Sequence, residues 1–322
     1  MGTIKEKYGF LPTSVWHLDK NHRLNNFFKD SGDAHKKRRA SGSFLPNYKF
    51  SSFNPNVAER VIKYWSEKGD MIFDPFAGRT TRGIVSLSLG RNYVGCEISP
   101  TTFENTLVEL QRMKMDDKFV LLNEDGCAFH EEIEDEEVDL VFTCPPYWKL
   151  ERYEHCENQL SDCKTYDIFM NKIYDCLAEC NRVLKEGKFS IWVVSDWRNA
   201  GYYCFHKDII NAHLDNGFEL WDIVINVLNS PFVSFKAGFN DKYKYTGKTH
   251  EYILVFKKKT LSNSIVPPSN SASQVSKADE HNISLKDNSN ELSQISSNDE
   301  TSLNNNIQRL HPNLNFCSQR LK

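Results

Sequence analysis

The sequence lacks three features that would restrict its class at once: a long apolar run, a large excess of one charge, and paired cysteines. No apolar stretch approaches the roughly 20 residues that a membrane-spanning helix needs. The net charge is -3 over 322 residues, so a polyanionic ligand would have to bind at a local basic surface. The N-terminal residues contain no apolar signal core, and the sequence therefore predicts a cytoplasmic protein.

Nine cysteines are present, yet no two of them form a Cys-x-x-Cys pair. Without such pairs or a secretion signal, the sequence predicts reduced thiols. Cys156, Cys163, Cys176 and Cys180 raise the alternative of a zinc site, but their spacing matches no standard zinc pattern. The prediction is therefore that the protein holds no metal ion.

Strand-like and helix-like segments alternate between residues 51 and 259, which predicts one α/β domain with a doubly wound, mostly parallel sheet. The predicted strands are Met71–Asp74, Tyr93–Glu97, Phe119–Leu122, Val138–Phe142, Phe189–Val194, Leu220–Val227 and Tyr252–Phe256. The predicted helices are Val57–Trp65, Thr80–Leu89, Thr101–Lys114, Tyr166–Leu184 and Phe205–Asn216. No helix separates the last two strands, so we expect them to pair as an antiparallel hairpin.

The two ends of the chain differ from this domain. Residues 1–50 show no clear period and are predicted to form an N-terminal extension. Their basic run Lys36–Arg39 is either a solvated loop or a phosphate contact. Residues 260–322 are rich in Ser, Asn and Asp, which predicts a disordered polar tail.

The segment Asp74–Gly83 follows a strand and opens a helix, the arrangement that binds ligands in doubly wound folds. Gly78 allows the backbone to approach a ligand closely, and the free N–H groups of the helix suit a carboxylate. Glu97 ends the second strand and can accept hydrogen bonds from both hydroxyls of a ribose. The third strand runs into residues 123–125, whose side-chain acceptors can reach an adenine amine. Because the three-glycine spacing of pyrophosphate sites is missing, these features predict S-adenosylmethionine rather than a dinucleotide.

A second motif, Cys144-Pro145-Pro146-Tyr147, follows the buried strand that begins at Asp139. The two prolines end the sheet and stiffen the backbone, which leaves carbonyl groups available as acceptors. The exocyclic amine of a base is a poor nucleophile because its lone pair is delocalised into the ring. Two acceptors aimed at its hydrogens direct that lone pair at a methyl donor, and the Tyr147 ring can stack on the base. The motif therefore predicts methylation of a base that is flipped out of the duplex or single-stranded.

These motifs resemble those of the DNA amino-methyltransferases that modify adenine-N6 or cytosine-N4. The likeness is closer to a phage- and prophage-type branch, which also carries the residues at Arg82–Val85 and Gly247–His250. The resemblance covers roughly Pro12 to Lys258. It implies the class I S-adenosylmethionine-dependent methyltransferase fold, with a seven-stranded sheet whose last hairpin is antiparallel.

The resemblance also implies roles for individual residues. It assigns cofactor binding to Phe53, Asn54, Pro55, Asp74, Phe76, Gly78, Glu97 and Asp125, and catalysis to Cys144, Pro145, Pro146 and Tyr147. The chain departs from the family at Arg79-Thr80, where many members have Ser-Gly, and at Cys144, where they have Asp, Asn or Ser. Sulfur is a weak acceptor, so the amine would depend more on the Pro145 carbonyl. The segment differs by one atom from the Thr-Ser-Pro-Pro-Tyr pattern of cytosine-N4 enzymes, which slightly favours that base.

The partner that these motifs predict is DNA, and the loop Asn229–His250 is a candidate contact. It interleaves Lys236, Lys242, Lys244 and Lys248 with Phe235, Phe239, Tyr243 and Tyr245. Basic and aromatic residues together suit phosphate contact and base stacking, although an ordinary exposed loop is the alternative. A cytosine-C5 methyltransferase is excluded. In those enzymes a proline precedes the nucleophilic thiol, whereas here Cys144 precedes both prolines. An RNA or protein-amide methyltransferase and an inactive DNA-binding module stay open as alternatives, and a restriction partner cannot be inferred.

Overall fold

Ten strands and six α-helices lie within residues 3–19, 21–27, 53–79, 81–128, 130–150, 155–228 and 241–260, which are those that the computed structural model describes. The strands are β1 (Val15–His17), β2 (Met71–Asp74), β3 (Asn92–Cys96), β4 (Phe119–Leu122), β5 (Val138–Thr143), β6 (Leu184–Val194), β7 (Trp197–Asn199), β8 (Gly201–Tyr203), β9 (Phe218–Val227) and β10 (His250–Lys258). The helices are α1 (Ile4–Tyr8), α2 (Pro55–Trp65), α3 (Thr81–Ser88), α4 (Pro100–Gln111), α5 (Tyr166–Val183) and α6 (Phe205–Asp215). Short 3-10 turns span Asp116–Lys118 and Leu160–Asp162.

Eight of the strands form one sheet in the order β1-β9-β10-β6-β5-β2-β3-β4. Strands β2 to β6 run parallel, while β10 is antiparallel to both β6 and β9. The predicted doubly wound sheet with a final antiparallel hairpin is therefore confirmed. Strand β6 begins at Leu184, five residues before the predicted start, because it continues directly from the end of α5.

Strand β1 is an addition to the seven predicted strands. It pairs in parallel with β9, with Val15 opposite Ile225, and Trp16 is 1% exposed. A three-residue strand is too short to display an alternating pattern, so the sequence did not reveal it. Residues 28–52, with the Lys36–Arg39 run, and the predicted tail beyond residue 260 lie outside the described residues.

Both faces of the central strands are buried, as expected where helices cover a parallel sheet on two sides. Along β6, Ile191 and Val193 pack with α2 and α3, whereas Trp192 and Val194 pack with α5 and α6. Every residue of β5 is buried. No helix of the described residues is long and apolar enough to cross a membrane.

The strand order reverses between β2 and β5. The chain leaves β2 toward β3 and β4 on one side, then returns to β5 on the other. Because loops diverge at such a reversal, a crevice opens at the carboxyl ends of these strands. This is where the two sequence motifs meet.

Candidate active site

An open cleft of about 1020 Å³ lies at the carboxyl ends of β2 and β5. It brings together nine of the predicted site residues: Phe53, Phe76, Gly78, Glu97, Asp125, Cys144, Pro145, Pro146 and Tyr147. The cofactor motif and the tetrapeptide thus line one continuous space, although about 70 residues separate them in the chain. Asn54, Pro55 and Asp74 do not line the cleft and act behind it.

Asp74 is fully buried and its two oxygens are occupied by protein donors. The Arg82 Nε donates to Oδ2 at 2.7 Å and the Thr143 hydroxyl donates to Oδ1 at 2.7 Å. The Tyr93 hydroxyl donates to Oδ2 at 3.1 Å. A buried carboxylate needs such partners, and here they tie the end of β2 to β3, β5 and α3.

Arg82 extends this network to the wall of the cleft. One of its terminal nitrogens donates to the Phe76 carbonyl at 2.5 Å, and its guanidinium carbon lies 4.8 Å from the centre of the Phe53 ring. Burial acts to lower the pKa of Arg82, but the charge and hydrogen bonds of Asp74 outweigh it and the pKa is raised. From the sequence, Arg82 was predicted only as one of the residues shared with the phage- and prophage-type methyltransferases. A single charged residue on an otherwise uncharged helix, eight residues after an aspartate, was the available sign of a buried ion pair.

Asn54 and Pro55 position Phe53 by starting α2. The Asn54 side chain accepts from the Asn56 backbone N–H at 2.9 Å, and Pro55 occupies the first helical position. Both are favoured choices at a helix start. Phe53, the residue before this cap, is thereby held against the cleft, with its ring 5.8 Å from that of Phe142.

Glu97 lies between two loops, and backbone groups hold it. Its carboxylate accepts from the Ser99 N–H at 2.8 Å and also from the Gly78 N–H. Burial raises the pKa of Glu97 to about 7, against the opposing effect of these two donors. A carboxylate in this setting gains from further donors such as a pair of vicinal hydroxyls, which fits the ribose of the predicted cofactor.

Asp125 lies on the facing loop after β4, where Oδ1 accepts from the Cys127 N–H at 3.0 Å. The Lys172 ammonium of α5 is 3.7 Å from Oδ2, and it also donates to Asn158 at 3.1 Å. Gly126 is required here, since a Cβ at this position would come 1.8 Å from the Pro75 carbonyl oxygen. Gly126 and Lys172 were not predicted from the sequence, because their contacts join segments that are far apart in the chain.

The tetrapeptide leaves β5 immediately after the anchored Thr143. The Tyr147 ring meets the rings of Trp197 and Phe205 edge to face, with centroids 5.4 and 5.9 Å apart. The Trp148 indole donates to the Cys163 carbonyl at 2.8 Å. Aromatic edge contacts fix the orientation of a ring, so Tyr147 is held in place at the cleft wall.

Five of the eight side chains of the predicted DNA-contact loop are described. Lys248 donates to the Asp196 carbonyl at 2.8 Å, Lys244 pairs with Asp241 at 2.7 Å, and Lys242 lies 5.3 Å from the Tyr243 ring centre. Phe235, Lys236 and Phe239 lie outside the described residues.

The doubly wound sheet and the family match together place the chain among the S-adenosylmethionine-dependent methyltransferases. Residues 4–108 and 138–314 match the N6/N4 methyltransferase family, described as DNA methylase. The chain therefore belongs to this family of DNA methylases.

Two curated relatives match shorter segments. The type II methyltransferase M.BamHI of Bacillus amyloliquefaciens is 33% identical over 72 residues, which cover 22% of this chain and 16% of that protein. The type II methyltransferase M1.MboII of Moraxella bovis is 27% identical over 84 residues, which cover 26% and 32% of the two chains. The matched segments thus span less than one third of either relative. A solved S-adenosylmethionine-dependent methyltransferase from Methanosarcina mazei has a TM-score of 0.43 at 12% identity, over 62% of this chain and 97% of that one.

Proposed function

We propose that this protein transfers a methyl group to an exocyclic amine of a DNA base, with cytosine-N4 slightly favoured over adenine-N6. The observation that carries the proposal is the single cleft in which Glu97 and Asp125 face the Cys144–Tyr147 segment. One side of this cleft suits a nucleoside and the other suits a flat base. Membership of the DNA methylase family supports the same substrate.

The cofactor supplies an electrophilic methyl group when it is bound. Glu97 would accept hydrogen bonds from its ribose, Asp125 would accept one from its adenine amine, and Phe53 would lie beside its methionine end. These roles rest on the place of each side chain in the cleft and, for Glu97 and Asp125, on the acceptor capacity of a carboxylate. Binding by several separate loops orients the donor, and orientation alone lowers the barrier for a two-substrate reaction.

The tetrapeptide orients and activates the target amine. The Pro145 carbonyl and the Cys144 sulfur accept its two hydrogens, which directs the nitrogen lone pair toward the methyl group. Tyr147 stacks on the base and limits its movement. The reaction is a direct in-line transfer that forms no covalent intermediate on the protein.

The target amine is inaccessible to this cleft while its base is stacked in a duplex, so the base is flipped out or presented in a single strand. The preference for cytosine-N4 rests on Cys144 alone. Cysteine differs from serine by one atom, sulfur in place of oxygen. Apart from that atom, residues 143–147 match the Thr-Ser-Pro-Pro-Tyr pattern of cytosine-N4 enzymes.

The decisive experiment is mass spectrometry of nucleosides digested from DNA after incubation with the protein and methyl-labelled S-adenosylmethionine. We expect label in N4-methylcytosine, or in N6-methyladenine if the preference is reversed. Label in RNA or protein but not in DNA would contradict the proposal that DNA is the substrate. Bound cofactor without any transfer would favour an inactive DNA-binding module.

A further inference from the structure

A small hairpin beside the cleft has no role in the chemistry proposed above. Strands β7 and β8 pair with Trp197 opposite Tyr203 and Arg198 opposite Tyr202. Successive residues of a strand face opposite sides, so the two pairs lie on opposite faces of the hairpin. Trp197 and Tyr203 stack on each other at 5.2 Å, and Trp197 also contacts Tyr147. This inner face therefore supports Tyr147, which lines the cleft, from behind.

The outer face is polar and cationic. The Arg198 guanidinium carbon lies 4.8 Å from the ring centres of both Tyr202 and Tyr245. The Lys248 ammonium lies 5.5 Å from the Tyr202 ring, and Tyr202 is 51% exposed. We call Arg198, Tyr202, Tyr245 and Lys248 the hairpin surface.

Arg198 has unused binding capacity. Among the described residues, no carboxylate forms an ion pair with it, and its guanidinium carbon lies over the rings of Tyr202 and Tyr245. A guanidinium carries five N–H donors in a planar fork, a geometry that matches a phosphate. Two aromatic neighbours also restrict the side chain, which reduces the entropy lost on binding.

The acid two residues earlier in the chain, Asp196, does not cancel this charge. Asp196 is 3% exposed, and its carboxylate is engaged by His206 at 2.7 Å, by Tyr202 at 2.8 Å and by Lys248 at 3.4 Å. Asp196 therefore anchors Lys248 and Tyr202 from beneath, while Arg198 stays exposed above. The surface combines fixed cations with aromatic rings, the combination that holds the backbone and bases of a nucleic-acid strand.

We propose that the hairpin surface binds the phosphate backbone of the DNA strand that carries the target base, with Arg198 as the main contact. This inference rests on the proposed function and deepens it. The same hairpin would then couple binding of the DNA strand to stacking of the flipped base. Its outer face would hold the strand beside that base, and its inner face holds Tyr147.

The test compares Arg198→Gln with Lys257→Gln in binding to a fluorescent DNA duplex at several salt concentrations. Lys257 is a matched control, because its ammonium also lies 4.4 Å from an exposed aromatic ring, that of Trp221, but at the opposite end of the sheet. Removing one phosphate contact lowers the slope of log affinity against log salt by about 0.9. We expect that change and roughly tenfold weaker binding for Arg198→Gln, an unchanged slope for Lys257→Gln, and an intermediate affinity for Arg198→Lys.

The salt slope could instead be the same for Arg198→Gln, Lys257→Gln and the unaltered protein. In a preparation that methylates DNA, that result would contradict DNA binding by the hairpin surface and leave the proposed function intact. A salt slope that depends on Arg198 with RNA but not with DNA would show that the hairpin surface binds RNA instead of DNA. A protein that neither binds nor methylates DNA would contradict the proposed function itself, and the labelling experiment above identifies that case independently.

Discussion

The two halves of the cleft are built from different chemistry. On the cofactor side, Glu97 and Asp125 present carboxylates that backbone N–H groups hold in place. On the substrate side, Tyr147 is held by the edges of Trp197 and Phe205. Hydrogen bonds specify single positions for polar groups, which suits a cofactor of constant shape. Aromatic packing supplies a flat apolar wall, which suits a base that must enter and leave.

The largest effect is expected from the buried ion pair behind the cofactor half. Asp74→Asn leaves Arg82 charged and buried, which should lower the free energy of unfolding by about 3–5 kcal/mol. Asp241→Asn is the control, since its ion pair with Lys244 has the same 2.7 Å distance but both side chains are at least 80% exposed. Its expected loss is below about 1 kcal/mol in the same denaturant titration. Similar losses for both variants would show that burial does not set the strength of this pair.

The next effect should separate the two halves by function. Tyr147→Ala removes the stacking surface, and base stacking is worth about 1–3 kcal/mol, so methyl transfer should fall by roughly 10- to 100-fold. Cofactor affinity, measured by calorimetry, should be unchanged because Tyr147 belongs to the substrate half. Tyr147→Phe keeps the ring and should retain most activity. Parallel loss of cofactor binding in Tyr147→Ala would mean that the halves are not independent.

A converse change acts on the cofactor half. Gly126→Ala places a methyl group where the Pro75 carbonyl oxygen lies 1.8 Å away, so one of the two loops must move. We expect at least tenfold weaker cofactor binding, about 1.4 kcal/mol. Gly201→Ala is the control in the substrate half, because no atom lies within 4 Å of its added Cβ. Unchanged cofactor affinity in Gly126→Ala would show that the Asp125 loop is not part of the site.

The pH dependence should also be confined to the cofactor half. Burial raises the pKa of Glu97 to about 7 from its ordinary value of 4.5. Hydroxyl groups bind the ionised form better, so cofactor affinity should rise about tenfold between roughly pH 6 and 8. The stability of the protein without cofactor should change with pH in the opposite direction. The folded state binds the Glu97 proton more tightly than the unfolded state does, so the stabilisation from this proton is lost as pH rises from about 4.5 to 7. Glu97→Gln should abolish the pH dependence of binding; a slope that persists in that variant must come from another group.

The smallest effect is expected at Cys144. Cys144→Ser supplies a better acceptor at the same place, so methyl transfer should change by no more than a few-fold. Rates of Cys144→Ser and Cys144→Ala can be compared on the same DNA substrate. A dead serine variant beside an active alanine variant would rule out hydrogen bonding by this residue.

Most of the architecture was predictable because buried parallel strands are short apolar runs separated by helical periods. The strands at Met71–Asp74 and Phe119–Leu122 were located to the residue. The hairpin of β7 and β8 was not predicted. Its residues, Trp197 to Tyr203, show no alternation of apolar and polar types, and only packing against Tyr147 and Phe205 gives the segment its place.

The sequence by itself determined which loops meet at the cleft, because the carboxyl ends of neighbouring parallel strands share one edge of the sheet. Only the tertiary structure decided where each side chain points. Asp74 follows the same strand-end pattern as Glu97, yet it turns inward to Arg82, Tyr93 and Thr143. Thr143 is 69 residues away in the chain, and pairings over such distances depend on how the elements pack. Local patterns therefore predicted which segments meet at the cleft, and long-range contacts divided the cleft into a polar half and an aromatic half.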